Sequence, residues 1–117
     1  MLDALETALL DSMKEVRMAV IWPLSWMRHE RTPAILKRAY TIENDSEVKA
    51  HIVRVSAGLM SKASEDILAD ALKSSDPLVK AIADQIMADR ERAGFVLTYD
   101  EDEGLGGMKM SAPNLGR

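Results

Sequence analysis

The chain contains no cysteine, which removes disulfide scaffolds, thiolate metal sites and cysteine nucleophiles from consideration. Aromatic residues are almost as scarce, at 4% of 117 residues: Trp22, Trp26, Tyr40, Phe95 and Tyr99. Long apolar runs are missing too. The most apolar stretch, residues 18–27, is interrupted by Pro23 and Ser25 and is too short to cross a bilayer, so no transmembrane segment is expected. Asp3, Glu6, Asp11 and Glu15 precede it, the wrong charge for the basic start of a secretory leader. There is no basic surplus either, with 15 Lys and Arg against 19 Asp and Glu and a net charge of −4. That balance argues against a general nucleic-acid binder. A cysteine-free, leaderless reading is compatible with a reducing cytoplasm, which is the expected compartment.

Against these absences stands an ordinary globular content of 47% apolar and 29% charged residues, with eight methionines. Leu, Ile, Val, Ala and Met must therefore build the core, and most of these are helix formers. The expectation is an all-α fold, either a small helical bundle or a short α-solenoid. One helical domain is expected over residues 1–93, followed over 94–117 by a short extended, strand-like segment at residues 95–99 and a flexible acidic, glycine-bearing tail.

Leu2, Leu5, Leu9, Met13, Val16 and Val20 recur at steps of three and four, predicting one helix with Asp3 as its cap and Glu6 at capping-box spacing. It should end near Trp22, because the residue before proline is pushed from α geometry, and Pro23 should open a short helix through Glu30. Thr32 with Pro33 predicts an N-cap and first helical position, followed by the apolar face Ile35, Leu36, Ala39 and Tyr40. Glu43, Asn44 and Asp45 read as a polar turn. Val48, Ile52, Val55 and Leu59 then form a second stripe, weakened at its end by Gly58. Ser64, Glu65 and Asp66 should cap a helix that buries Ile67, Leu68, Ala71 and Leu72 and breaks at Ser74 and Ser75. Asp76 with Pro77 starts the last helix, lined by Leu78, Val79, Ile82 and Ile86 and stopped by Gly94.

Residues 45–50 (Asp-Ser-Glu-Val-Lys-Ala) correspond to residues 76–81 (Asp-Pro-Leu-Val-Lys-Ala) at a displacement of 31, and Leu36 and Ala39 to Leu68 and Ala71 at 32. This pattern of short helix, Asp-bearing turn, Val-Lys and apolar second helix is similar to HEAT repeats over residues 33–93, with Lys49 and Lys80 where that family often carries Arg. The resemblance implies stacked helical hairpins.

Chemistry-bearing motifs are few. A calcium loop beginning at Asp100 would need glycine where Leu105 stands and a carboxylate where Ser111 stands. The run Asp100, Glu101, Asp102 and Glu103 therefore reads as a solvated acidic segment suited to a basic partner. Gly104, Gly106 and Gly107 lack the third glycine of a dinucleotide fingerprint, since Lys109 occupies its place. His29 and His51 form no helical ligand pair, and no serine sits in a nucleophile elbow. No independent enzyme, metal site or cofactor is expected.

Two surfaces remain. Trp22, Pro23, Leu24, Trp26 and Met27 gather both tryptophans within five residues, reading either as an interface anchor or as the closure of an aromatic-poor core. Arg28, Arg31, Lys37, Arg38, Lys49 and Arg54 supply positive charge around the one basic segment, residues 34–62, where five basic residues face three acidic ones. The expected function is a protein-binding or adaptor role, regulatory in character. Trp22, Trp26, Met27, Arg28, Arg31, Lys37 and Arg38 are its candidate contacts, and a homo-oligomer is compatible with it. The alternatives are a nucleic-acid-associated regulator using residues 28–54 and a noncatalytic subunit of a larger enzyme.

Overall fold

A computed structural model describes residues 2–27, 29–94, 96–99 and 108–111, the last two segments by their backbone. Its helices are α1 (Leu2–Ala8), α2 (Lys14–Met27), α3 (Thr32–Ile42), α4 (Ser46–Ala57), α5 (Lys62–Leu72) and α6 (Pro77–Ala93). The fold is all-helical through residue 93. Beyond Gly94, β1 (Val96–Tyr99) pairs antiparallel with β2 (Met108–Ser111), Val96 opposite Ser111 and Tyr99 opposite Met108. Phe95, the acidic run at 100–103 and the glycines of residues 104–107 lie outside the described residues.

The first segment departs from the expected single helix. The apolar period runs unbroken through Leu9 and Met13, yet α1 stops at Ala8 and α2 starts at Lys14. Short backbone bonds from Leu10 to Thr7 and from Asp11 to Ala8 close α1. The Asp11 carboxylate accepts from the Met13 amide at 2.8 Å, and the Arg17 guanidinium donates to the carbonyls of Asp11 and Ser12 at 2.7 and 3.2 Å. The break is therefore satisfied by polar groups that periodicity does not weigh. Asp3 lies inside α1 and is no cap.

Pro23 also does not start a helix; it lies within α2. Proline removes the bond to the Ala19 carbonyl at a cost of about 3 kcal/mol. Only one turn follows, and that turn carries Leu24, which is fully buried beside Ile21, a gain of about 2 kcal/mol. Ser25 Oγ donates to the Trp22 carbonyl at 2.7 Å. α2 ends at Met27 rather than reaching Glu30. Thr32 is the first residue of α3 and fully buried, with no partner for its hydroxyl, so it caps nothing; the Arg31 amide instead donates to His29 Nδ1 at 3.0 Å.

The second half follows its punctuation closely. Asp45 accepts from the amides of Glu47 and Val48, and Asp76 from those of Leu78 and Val79, so both aspartates are N-caps at equivalent places. Gly94 ends α6 in the left-handed region, φ 72°, which glycine adopts without a side-chain clash. α5 starts one turn earlier than expected, capped by Ser61, with Ser64 completing a capping box. Leu78 is exposed rather than lining α6's inner face, which Val79 and Ala83 provide.

The helices stack in two layers. α2 packs on α4 and α4 on α6, while α3 packs on α5 and each hairpin's helices pack on each other. Ser46, at the start of α4, donates to Asp76 at the start of α6. Near the other ends, Arg90 reaches the Ala57 carbonyl, so α4 and α6 run parallel. Lys14 pairs with Asp45 and Glu47, which sets α2 parallel to α4. On the other layer Lys37 meets Asp66 at 2.9 Å and Tyr40 Oη donates to Asp70 at 2.7 Å. Between the layers lie Ile21, Leu24, Leu36, Val48, Ile52, Val53, Ile67 and Val79, each essentially solvent-free. Among the described residues no helix is long and apolar enough to cross a membrane.

Candidate protein-interaction groove

Trp22 and Trp26 are four residues apart, one helical turn, and share a face of α2. That face flanks the one that buries Ile21, Leu24 and Ser25. Burial of those three fixes the rotation of α2 and leaves Trp22 52% and Trp26 76% exposed. The tryptophans therefore do not close the core. Their rings meet edge to face, with centroids 6.2 Å apart and planes at 63°, the geometry that the aromatic quadrupole favours.

Parallel packing of α2 on α4 brings His51, Arg54 and Val55 alongside them. The His51 ring stands edge to face against Trp22 at 6.3 Å. A groove of about 480 Å³ opens between the helices, lined by Trp22, Ser25, Trp26, Arg54, Val55, Gly58 and Leu59. Gly58 leaves its wall low: a Cβ there would meet only the Val55 carbonyl oxygen, at 3.6 Å. Burial lowers the His51 pKa below its ordinary value, and the neighbouring charge of Arg54 lowers it further. The ring is thus held neutral, as an aromatic neighbour of the indole rather than a cation.

Arg54 differs from four of the other five arginines among the described residues. Arg17 is ion-paired with Glu43, Arg31 with Glu6 and Asp3, Arg90 with Glu65 and Arg92 with Asp89. Arg54 is exposed, has no carboxylate partner among the described residues, and is the one charged residue lining the groove.

The other candidate contacts do not converge on this place. Met27 is 37% exposed at the end of α2 but does not line the groove, and Arg28 lies outside the described residues. Arg31 ties the start of α3 to α1 through Glu6 at 3.1 Å and Asp3 at 3.7 Å. Lys37 is held by Asp66. Arg38 is exposed on the separate α1–α3 groove of about 330 Å³, which it shares with Asp3 and Glu6. Lys49 sits 4.6 Å over the Tyr40 ring, a cation–π contact.

His51 and Arg54 as partners of the tryptophans are invisible to a linear reading, because nothing local says that α2 lies against α4. The signal that could have found them is the hairpin repeat extended to the N-terminal helices. A second hollow, of about 330 Å³, is bordered by Tyr40, Lys49, Asp66 and Asp70, but its polar groups are bound to one another. Tyr40 ionisation is pushed well above its usual range by burial, and then by the Asp70 carboxylate that its hydroxyl contacts. Among the described residues no group of three His, Asp or Glu side chains is placed to hold a metal ion.

No protein family, curated protein or solved structure matches the chain.

Proposed function

We propose that this chain is a cytoplasmic adaptor, a short HEAT-like α-solenoid that captures a protein partner in the groove between α2 and α4. The HEAT-like reading is supported by parallel stacking within each layer, by the equivalent caps Asp45 and Asp76, and by an N-terminal hairpin, α1–α2, that supplies a third unit. Three units are what stacking repeats need to bury a continuous core.

One observation carries the functional reading. Both tryptophans of the chain stand in the wall of a single groove, half or more exposed, although Leu24 between them is fully buried. A tryptophan offers 150–250 Å² for burial. At about 25 cal/mol per Å², covering the exposed part of each ring yields a few kcal/mol before the cost of association is met. Arg54 would orient the partner by its charge. The nucleic-acid alternative has less support, because Arg31 and Lys37 are already engaged by carboxylates and Arg38 lies on a different groove.

The test is capture by crosslinking from the native host with wild type and with the Trp22→Ala/Trp26→Ala double variant. The expected result is loss of the captured partner with helical circular dichroism unchanged. Retained capture by a folded double variant would remove the reading, and loss of folding would return the tryptophans to the core.

A further inference from the structure

Resting on the groove reading above, we infer that the partner enters as an acidic–apolar segment: a peptide stretch in which a carboxylate binds Arg54 while an adjacent aliphatic or proline side chain lies against Trp22 and Trp26. Charge complementarity is the argument. The molecule is acidic overall, at −4, and four other arginines are neutralised internally. In contrast, among the described residues the groove is lined by one guanidinium and no carboxylate. An anion in the groove gains Arg54 without displacing any internal partner. A basic segment would place a second positive charge beside it.

The kind of anion follows from the number of cations. Phosphate-bearing motifs are read by clusters of arginines, whereas among the described residues Arg54 stands as the sole charged lining residue, and burial disfavours the charged form of His51. A single planar guanidinium matches one carboxylate through two parallel hydrogen bonds. A partner that covers the indole rings excludes water around that contact and so strengthens it. Ser25 and Gly58 leave the floor and one wall of the groove small, so an apolar side chain reaches the indole rings without being blocked. A second copy of the chain is a poorer occupant through α6, because Asp84 and Asp89 are already paired with Lys80 and Arg92 and the third carboxylate, Glu91, stands between Arg90 and Arg92 in sequence.

The experiment pans a random peptide library displayed on phage against the immobilised full chain. Synthetic, dye-labelled versions of the enriched peptides are then titrated by fluorescence anisotropy, a readout that does not depend on the tryptophans being tested. Enriched peptides should share Asp or Glu next to Leu, Ile or Pro. Arg54→Gln should weaken their binding about tenfold or more, as loss of a desolvated charge pair does. Arg54→Lys should fall between, and Arg54→Glu should turn selection toward peptides with Lys or Arg. Arg54 is exposed and outside the core, so unchanged circular dichroism and melting temperature keep these comparisons valid.

Peptides that need Trp22 and Trp26 but ignore Arg54→Gln would overturn this inference and leave the groove reading standing. Binding that survives Trp22→Ala/Trp26→Ala, or the absence of any enriched peptide, would overturn both. Enrichment of phosphopeptides over their carboxylate counterparts in a matched synthetic set, or self-association abolished by Arg54→Glu, would assign a different occupant and also overturn it.

Discussion

Arg17 on α2 grips Glu43 in the turn before α4 by two parallel hydrogen bonds, Nε to Oε1 and Nη2 to Oε2, both 3.0 Å. The Glu43 side chain is only 5% exposed and Arg17 17%. Glu43 also accepts from the Asp45 amide at 3.0 Å, while Arg17 donates to the carbonyls that end the α1–α2 break. One ion pair thus joins the first hairpin to the second and sets where α2 lies against α4. The tryptophan groove is a consequence of that placement.

Removing one side of this pair strands the other. Arg17→Met leaves the Glu43 carboxylate buried and uncompensated, with an expected loss of about 3 kcal/mol in urea denaturation. Adding Glu43→Gln removes the orphaned charge while keeping an acceptor for the Asp45 amide. The double variant should recover a large part of the loss, which the double-mutant cycle measures directly. Independent, additive effects would contradict the coupling.

Gly58 offers a change in the opposite direction. Its backbone is right-handed helical, φ −74° and ψ −13°, and a Cβ there meets the Val55 carbonyl oxygen at an ordinary 3.6 Å. Gly58→Ala should therefore raise stability by about 0.4–1 kcal/mol by restricting the unfolded chain, read as a higher denaturation midpoint at unchanged slope. A lower midpoint would mean that the end of α4 is strained.

The depressed pKa of His51 gives a pH signature. Protonation is favoured in the unfolded chain, where the pKa is near the ordinary 6.5, so the unfolded state binds the proton first as pH falls. Stability should be complete above about pH 6.5 and decline below it, toward the lower folded pKa. His51→Phe, which keeps an aromatic edge toward Trp22, should remove that part of the decline. Melting temperature followed from pH 7.5 to 5.5 checks it, and identical profiles for both proteins would refute it.

Sequence reading succeeded where structure is local. The cap Asp76, the polar turn ending at Asp45, the stop at Gly94 and the buried stripe Val48, Ile52 and Val55 all depend on residues within a turn or two. It failed where a distant group decides. Leu9 and Met13 fit a continuous helix, but Arg17, held by Glu43, stabilises the break between them. Pro23 ends a helix by local rule, but burial of Leu24 carries α2 one turn further. Whether Trp22 and Trp26 faced core or solvent turned on the rotation of α2, fixed by Ile21, Leu24 and Ser25 packing onto other helices. Arg54 stood in the sequence as one basic residue among six, and only the parallel α2–α4 contact sets it beside the indoles.

Because Trp22 and Trp26 are the only two tryptophans, intrinsic fluorescence reports on the groove alone. Acrylamide quenching of the folded chain at a concentration where it is monomeric is the most direct test of the account. Half-exposed Trp22 and largely exposed Trp26 predict long-wavelength emission open to acrylamide, with a blue shift and protection when the groove is filled. Blue-shifted emission protected from acrylamide in the unliganded monomer would place the indoles in the core and contradict it.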